Sequence, residues 1–325
     1  MLTRFASAAV AAALYVIAAP VHAQDFPTKP VTLVMPYAAG GPGDTLARLV
    51  AQSMTTTLKQ QVIVENAAGA GGTIGSTKVS MAKPDGYTLL MIHISHATNP
   101  ALYPKLRYDP VKDFEPIGLV ADLPMVFVAK KDYAPNTFKD LITHIKTNKD
   151  KVLYAHAGVG SASHLCGLLL FSTLDTNVTN VPYKGSGPAM NDIMGGQVDM
   201  ICDQTVNVVG PLKAGKIKGY AVASKAKSPA LPNLPTAGEA GLAGFELNIW
   251  YGLFAPKGTP KPVIDRLEAA LQTALKDPNI KTRMADLGAE PASADRATPA
   301  ALRTLLKSEI DKWSPIIKKA GVYGE

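Results

Sequence analysis

Cysteine is nearly missing from this 325-residue chain, with Cys166 and Cys202 the only two. Two cysteines do not make a disulfide framework, so stability must come from a hydrophobic core, for which the length is ample. Whether the two are joined stays open here, because spacing along the chain does not fix the geometry of a bridge. Charged residues are also sparse at 18%, aromatics at 6%, and no dense Lys/Arg patch is interleaved with aromatics. That excludes a nucleic-acid partner. The formal charge of +7 is spread over scattered lysines, a mild balance that favours acidic ligands through the overall field. No apolar run reaches the ~20 residues of a membrane span. The run from Ala8 to Ala19 instead follows Arg4 and precedes the small-x-small site Val21-His22-Ala23. This pattern predicts a signal peptide over residues 1–23, cleaved near Ala23, and a mature chain outside the cytoplasm. Loss of Arg4 with it takes the formal charge from +7 to +6.

Nucleotide and hydrolase signatures are missing too. No Lys-Ser or Lys-Thr follows Gly40–Gly43, and the third glycine position of a dinucleotide fingerprint holds Leu46 in one Gly loop and Ile74 in the next. Neither a P-loop nor a dinucleotide fold is therefore expected. Neither "GVGSASH" nor "KGSGPA" forms a G-x-S-x-G elbow. Ser163 and His164 are adjacent on a predicted helix and point in different directions, so they do not make a nucleophile–base pair.

What the chain does have is a repeated unit. In "MPYAAGGPGDTLARLV" an apolar strand breaks at Gly40, Gly41 and Gly43 and becomes an amphipathic helix, a layout that aims backbone N–H groups and a helix N-terminus at an anion. Strands are predicted at 31–36, 61–65 and 87–92, with helices from about Asp44 and Thr73 between them. The second copy has strands at 152–155, 177–181 and 197–202, with helices from about Ser161 and Pro188. Such β-α-β-α-β runs imply parallel sheets whose ligands lie beyond the carboxyl ends of the strands. A Pro-punctuated stretch between the copies reads as extended crossing segments. Two helices are expected to close the chain, capped at Thr259-Pro260 and Thr298-Pro299. The last carries the apolar stripe Leu302, Leu305, Leu306, Ile310 and Trp313.

The segments "PYAAGGPGDTLAR", "PDGYTLL", "NPALY", "YDPVKDFEPIG", "GVGSASH", "VPYKGSGPA", "GGQVDM", "LPTAGEAG" and "WYGLFAPKGTP", in this order, resemble the periplasmic receptors of tripartite tricarboxylate transporters, the Bug family of solute-binding proteins. The likeness runs from about Pro30 to the C-terminus. It implies an α/β, two-lobed periplasmic-binding-protein (Venus flytrap) fold, with two parallel-type sheets flanked by helices and a hinge. On this division residues 24–123 start lobe 1, 124–223 form lobe 2, and 224–325 return to lobe 1. The resemblance further implies a periplasmic receptor that is not an enzyme. It would capture a small carboxylate, a di- or tricarboxylate or an aromatic acid such as a benzene dicarboxylate, and deliver it to integral-membrane permease subunits. A monomer without cofactor or metal is expected. The competing class is a secreted hydrolase pairing Ser161 or Ser163 with His164 or His156.

Carried over position by position, the resemblance implies ligand contacts at Tyr37, Ala38, Ala39, Gly40, Gly41 and Asp44 in the first lobe. Glycine there lets the backbone approach closely, and the helix end adds a favourable interaction of roughly 0.3–1 kcal/mol. Asp44 reads equally as the N-cap of that helix. In the second lobe the contacts fall on Gly160, Ser161, Ala162 and Ser163, where either hydroxyl can donate to a carboxylate or cap the helix. Asp203 and Thr205 follow a strand end. A carboxylate ligand beside Asp203 is unfavourable, so Asp203 is expected to orient water or to pair with Lys184, which otherwise is a solvated surface lysine. Ser95 and His96, with His93 beside them, lie where a strand runs into its loop. Imidazole there can stack or donate to a ligand; the alternative is one buried and one exposed histidine. A zinc site lacks a third ligand at suitable spacing.

Overall fold

The computed structural model describes residues 26–324; the signal peptide and cleavage site expected in residues 1–23 lie outside them. No described helix is long and apolar enough to cross a membrane.

The first repeat forms as the glycine and apolar spacing imply. Strand β1 (Val31–Met35) leads to helix α1 (Pro42–Leu58), β2 (Val62–Asn66), α2 (Thr73–Ser80) and β3 (Thr88–His93). β1 pairs in parallel with both β2 and β3. Leu46, Leu49, Val50, Met54 and Leu58 are buried on one face of α1, since residues three and four apart share a face. Helix α3 (Ser95–Leu102) follows, then the crossing strand β4 (Phe114–Lys130) and helix α4 (Phe138–Thr147).

The second repeat is β5 (Leu153–His156), α5 (Ala162–Thr173), β6 (Thr179–Pro182), α6 (Ser186–Met194) and β7 (Met200–Gln204), with β5 parallel to β6 and β7. Helix α7 (Thr205–Lys213), β8 (Ile217–Val222) and β9 (Asn248–Pro256) complete the sheets. Both repeats are parallel inside, but the strands that join them are antiparallel, so the sheets are mixed. β4 belongs to both: its first part pairs with β9, and Met125 to Lys130 pair with β7 and β8. Where β4 changes partners, Ala223 N–H donates to Met125 O, Leu247 N–H to Ala223 O and Met125 N–H to Leu247 O. The two chain crossings are thus hydrogen-bonded to each other, as a hinge requires.

Three helices rather than two follow β9: α8 (Lys261–Lys276), α9 (Pro278–Asp286) and α10 (Pro299–Ala320), with the short β10 (Glu290–Pro291) before the last. Thr259 is not a cap; its hydroxyl donates to Pro256 O and Pro260 holds the cap position of α8. Asp277 caps the extra helix through Asn279 N–H, and Thr298 caps α10 through Ala301 N–H. Leu302, Leu306 and Trp313 are buried, with Leu305 and Ile310 packed at the margin of the same core.

Cys166 on α5 and Cys202 on β7 are disulfide-bonded, with Cα atoms 6.1 Å apart, which answers the question that spacing left open. The bond closes a loop with a sequence separation of 36, for which restriction of the unfolded chain stabilises by about 3–4 kcal/mol. Protein reduced in denaturant and refolded with its thiols kept reduced should unfold at a correspondingly lower denaturant concentration. Coincident unfolding curves would rule this contribution out.

Candidate functional site

The turn after β1 carries Gly40 at φ +80°, where a side chain would be strained. Gly41 holds the N-cap position of α1 and Pro42 opens the helix, a place where proline's missing N–H costs nothing. Asp44 is therefore not the cap but lies in the first turn. Its carboxylate accepts from Gly40 N–H (3.0 Å), Arg48 Nε (3.1 Å) and Asn66 Nδ2 (2.9 Å). Burial pushes its pKa up, but these bonds outweigh burial and hold it below the usual value. The carboxylate is committed to shaping the loop.

His93, at the end of β3, stacks on Tyr37 with centroids 4.8 Å apart and meets Tyr251 edge-on. The Tyr37 hydroxyl donates to Gly71 O at 2.8 Å. Ser95 N–H donates to His93 Nδ1, and burial drives the ring's pKa down to about 3. The imidazole is therefore neutral with its proton on Nε2. His96 does not share this place. It is fully buried among Tyr108, Phe114 and Phe254, with centroids 4.7–5.8 Å away, and is a core residue. Neither histidine is exposed. Ser95 is fully buried beside the Tyr37 hydroxyl.

In the second lobe Ser161 caps α5, its Oγ accepting from His164 N–H. Ser163 Oγ accepts from Ala157 N–H at 2.9 Å, and the two hydroxyls lie 3.2 Å apart. The loop between them and β5 is pinned by two imidazoles. His156 Nδ1 accepts from Gly158 N–H (3.1 Å) and His164 Nδ1 from Gly160 N–H (3.3 Å). Burial lowers their pKa values to about 4 and about 3. These bonds occupy the nitrogens facing the loop, and neither serine hydroxyl is hydrogen-bonded to an imidazole nitrogen, the contact a nucleophile–base pair requires.

Asp203 is fully buried and accepts from Ser186 Oγ (2.9 Å), Gln204 N–H (2.9 Å) and Asn207 Nδ2 (2.6 Å). The expected pairing with Lys184 is not made, because those three donors occupy its oxygens and the Lys184 side chain is exposed. Lys184 contributes only its carbonyl, which accepts from Ala38 N–H across the cleft. Thr205 Oγ1 donates to Gly288 O at 2.8 Å, tying the lobes together away from the cleft. Ala39 and Gly40 face an outer groove shared with Gly187 and Asn207.

Of the expected residues, Tyr37, Ala38, Gly41, Asp44, Ser161, Ala162 and Ser163 meet around one cleft. Ala39, Gly40, Ser95, His96, Gly160, Lys184, Asp203 and Thr205 do not line it. Pro42, Gly43, His93, Ala157, Ser186, Gln204 and Tyr251 complete the wall. The starts of α1, α5 and α6 and the cap position of α7 converge there, so uncommitted N–H groups and the positive ends of four helices face a space of about 20 Å³, a combination that suits an anion. The lobes touch over it, with Tyr103 OH donating to Val159 O at 2.8 Å. Ser186 follows Gly185 at a helix start, as Ser161 follows Gly160, and that parallel is a sequence signal for it. Tyr251 has no local signal; β9 brings it in from far along the chain.

Residues 46–322 match the family described as tripartite tricarboxylate transporter family receptor. The chain belongs to this family. Among relatives of this receptor chain, a UPF0065 protein from the TAR-I ttuE-ttuC' intergenic region of Agrobacterium vitis is 51% identical over 301 residues, covering 92% of this chain and 87% of that protein. Among solved structures, the periplasmic binding protein BugD superposes with a TM-score of 0.90 at 50% identity, over 92% of this chain and 99% of that one. MatC of Rhodopseudomonas palustris, solved with bound malate, gives 0.87 at 43% identity, over 90% and 100%. The two-lobed periplasmic-binding-protein fold is thus shared with these receptors.

Proposed function

We propose that this tripartite tricarboxylate transporter receptor works in the periplasm, closing around a small dicarboxylate and presenting it to membrane permease subunits. The lobes divide near residues 124/125 and 247/248 rather than at 123/124 and 223/224 as expected, because Leu231 packs with Val126 and Val222 and Phe245 on Phe127, which keeps residues 224–247 with the second lobe. The observation that carries this reading is the convergence of helix N-termini from both lobes on one cleft, with no Lys or Arg side chain in its wall. Backbone N–H groups and hydroxyls on opposite sides suit a ligand charged at both ends, and the malate held by MatC has that form.

Calorimetry on pairs of acids that differ by one carboxylate tests it. Loss of one charge-assisted hydrogen bond costs about 1.5–3 kcal/mol, so the dicarboxylate of each pair should bind roughly ten- to a hundred-fold more tightly. At a hundred times its dissociation constant it should raise unfolding stability by about 2.7 kcal/mol. A panel of mono-, di- and tricarboxylates that produced no heat and no thermal shift would overturn the reading.

A further inference from the structure

The cleft is rich in donors, but one part of its wall does the opposite. Gln204 is 2% exposed and lines the cleft, yet its Oε1 has no hydrogen-bond partner in the protein. The Tyr251 hydroxyl lies against the same amide. A buried carbonyl oxygen left without a donor is costly, and such groups in folded proteins call for an explanation. Beside it, Ser186 also lines the cleft. Its Oγ donates to Asp203 Oδ1, so its proton is turned away and its lone pairs face the ligand space. Asp203 enforces this. Burial lifts its pKa to about 6, still below neutral, and an ionised carboxylate can only accept. A second donor from Asn207 and a third from Gln204 N–H hold it in place.

We infer that the ligand carries a hydrogen-bond donor, a hydroxyl or an ammonium group, in addition to its carboxylates, and that Gln204 and Ser186 select for that donor. A ligand without it leaves Gln204 Oε1 buried and unpaired in the complex. A ligand with it meets two acceptors backed by a negative charge. The helix N-termini bind the carboxylates, and this wall distinguishes between acids of the same charge and length. The inference rests on the carboxylate-receptor reading above and adds to it.

Calorimetry at pH 7.5 with succinate, malate and aspartate separates the two. These acids share a four-carbon dicarboxylate frame and differ only in bearing hydrogen, hydroxyl or ammonium on one carbon. Malate, aspartate or both should bind at least roughly ten-fold more tightly than succinate, the effect of leaving one buried acceptor unpaired. The stronger of the two identifies which donor the wall accepts. Gln204→Met, close in volume but without an acceptor, should abolish the difference, bringing that acid and succinate to the same affinity. Ser186→Ala should reduce the preference in part. Succinate binding as tightly as both others would overturn the inference and leave the receptor reading standing, and a preference undiminished in Gln204→Met would overturn the role of that side chain. No binding by any of the three, or by the wider panel, would overturn the receptor reading itself. The ligand comparison needs no variant, so a misfolded substitution does not decide it.

Discussion

Acidification from pH 6.5 to pH 5 is expected to remove much of the folding stability of this receptor. His93, His96 and His164 have pKa values lowered to about 3 and His156 to about 4, all chiefly by burial, whereas in the unfolded chain a histidine titrates near ~6.5. Between those limits the unfolded state binds more protons than the folded one, so stability rises with pH and falls on acidification. Asp203 works the other way. Its pKa is raised to about 6, so below that the folded state holds a proton the unfolded chain lacks. Four histidines against one aspartate leave a difference of about three protons near pH 5, or about 4 kcal/mol per pH unit. Against a typical total of about 5–15 kcal/mol, that is a large fraction. Denaturant unfolding at half-unit intervals from pH 7 to 5 measures the slope directly. A flat stability profile across this window would mean that the four rings are reached by protons in the folded state.

Replacing Gly187 with alanine should abolish tight binding while leaving the fold as stable as before or more so. Gly187 lies in the first turn of α6 and has no positive φ, so alanine suits its backbone; in a helix it is favoured over glycine by roughly 0.5–1 kcal/mol. The obstacle is the other lobe. An added Cβ would lie 2.7 Å from Ala39 O, 2.9 Å from Gly40 C and 3.1 Å from Gly41 N, all backbone atoms. The lobes would have to stand apart, and a ligand would lose the donors of one side. With two charge-assisted bonds lost at about 1.5–3 kcal/mol each, affinity should fall by roughly a hundred-fold or more. Scattering should show the parent contracting on ligand addition and the variant staying extended. Gly210→Ala is the control. Gly210 lies inside α7 outside the cleft wall, and its Cβ would meet nothing within 4 Å, so that variant should bind like the parent. Parent-like affinity in Gly187→Ala would mean that the bound lobes never approach this closely.

Much of the architecture was legible because its signals are local. The glycine turns, the helical spacing of Leu46, Val50 and Met54, and the serine before α5 each act over a few residues. The Pro-rich stretch around β4 was readable as a crossing for the same reason. The choice between His93 and His96 was not. The two histidines lie only three positions apart, and which one faces the cleft depends on where β3 ends and on the cage of Tyr108, Phe114 and Phe254 that tertiary packing assembles. Of the two readings open for Asp44, the cap fails because Pro42, which opens α1, moves the cap position back to Gly41. The Lys184–Asp203 pairing failed because Ser186, Asn207 and a backbone N–H take the carboxylate first. Gln204 and Tyr251 entered the site through sheet order, which no short window contains.

That sheet order also fixes the sequence in which the lobes can be finished. β9 lies between β3 and β4, so the first lobe's sheet has a gap until residues 248–256 have been made. All strands of the second lobe, β5 to β8 and the end of β4, lie earlier in the chain. As the polypeptide is produced from its N-terminus, the second lobe can close while the first still waits with two unpaired edges, on β3 and on β4. Open strand edges of this kind are where chains associate wrongly. For this receptor the period of risk in biogenesis lasts until residue 256 has been made, and a chain truncated before β9 would carry one finished lobe beside one that cannot form.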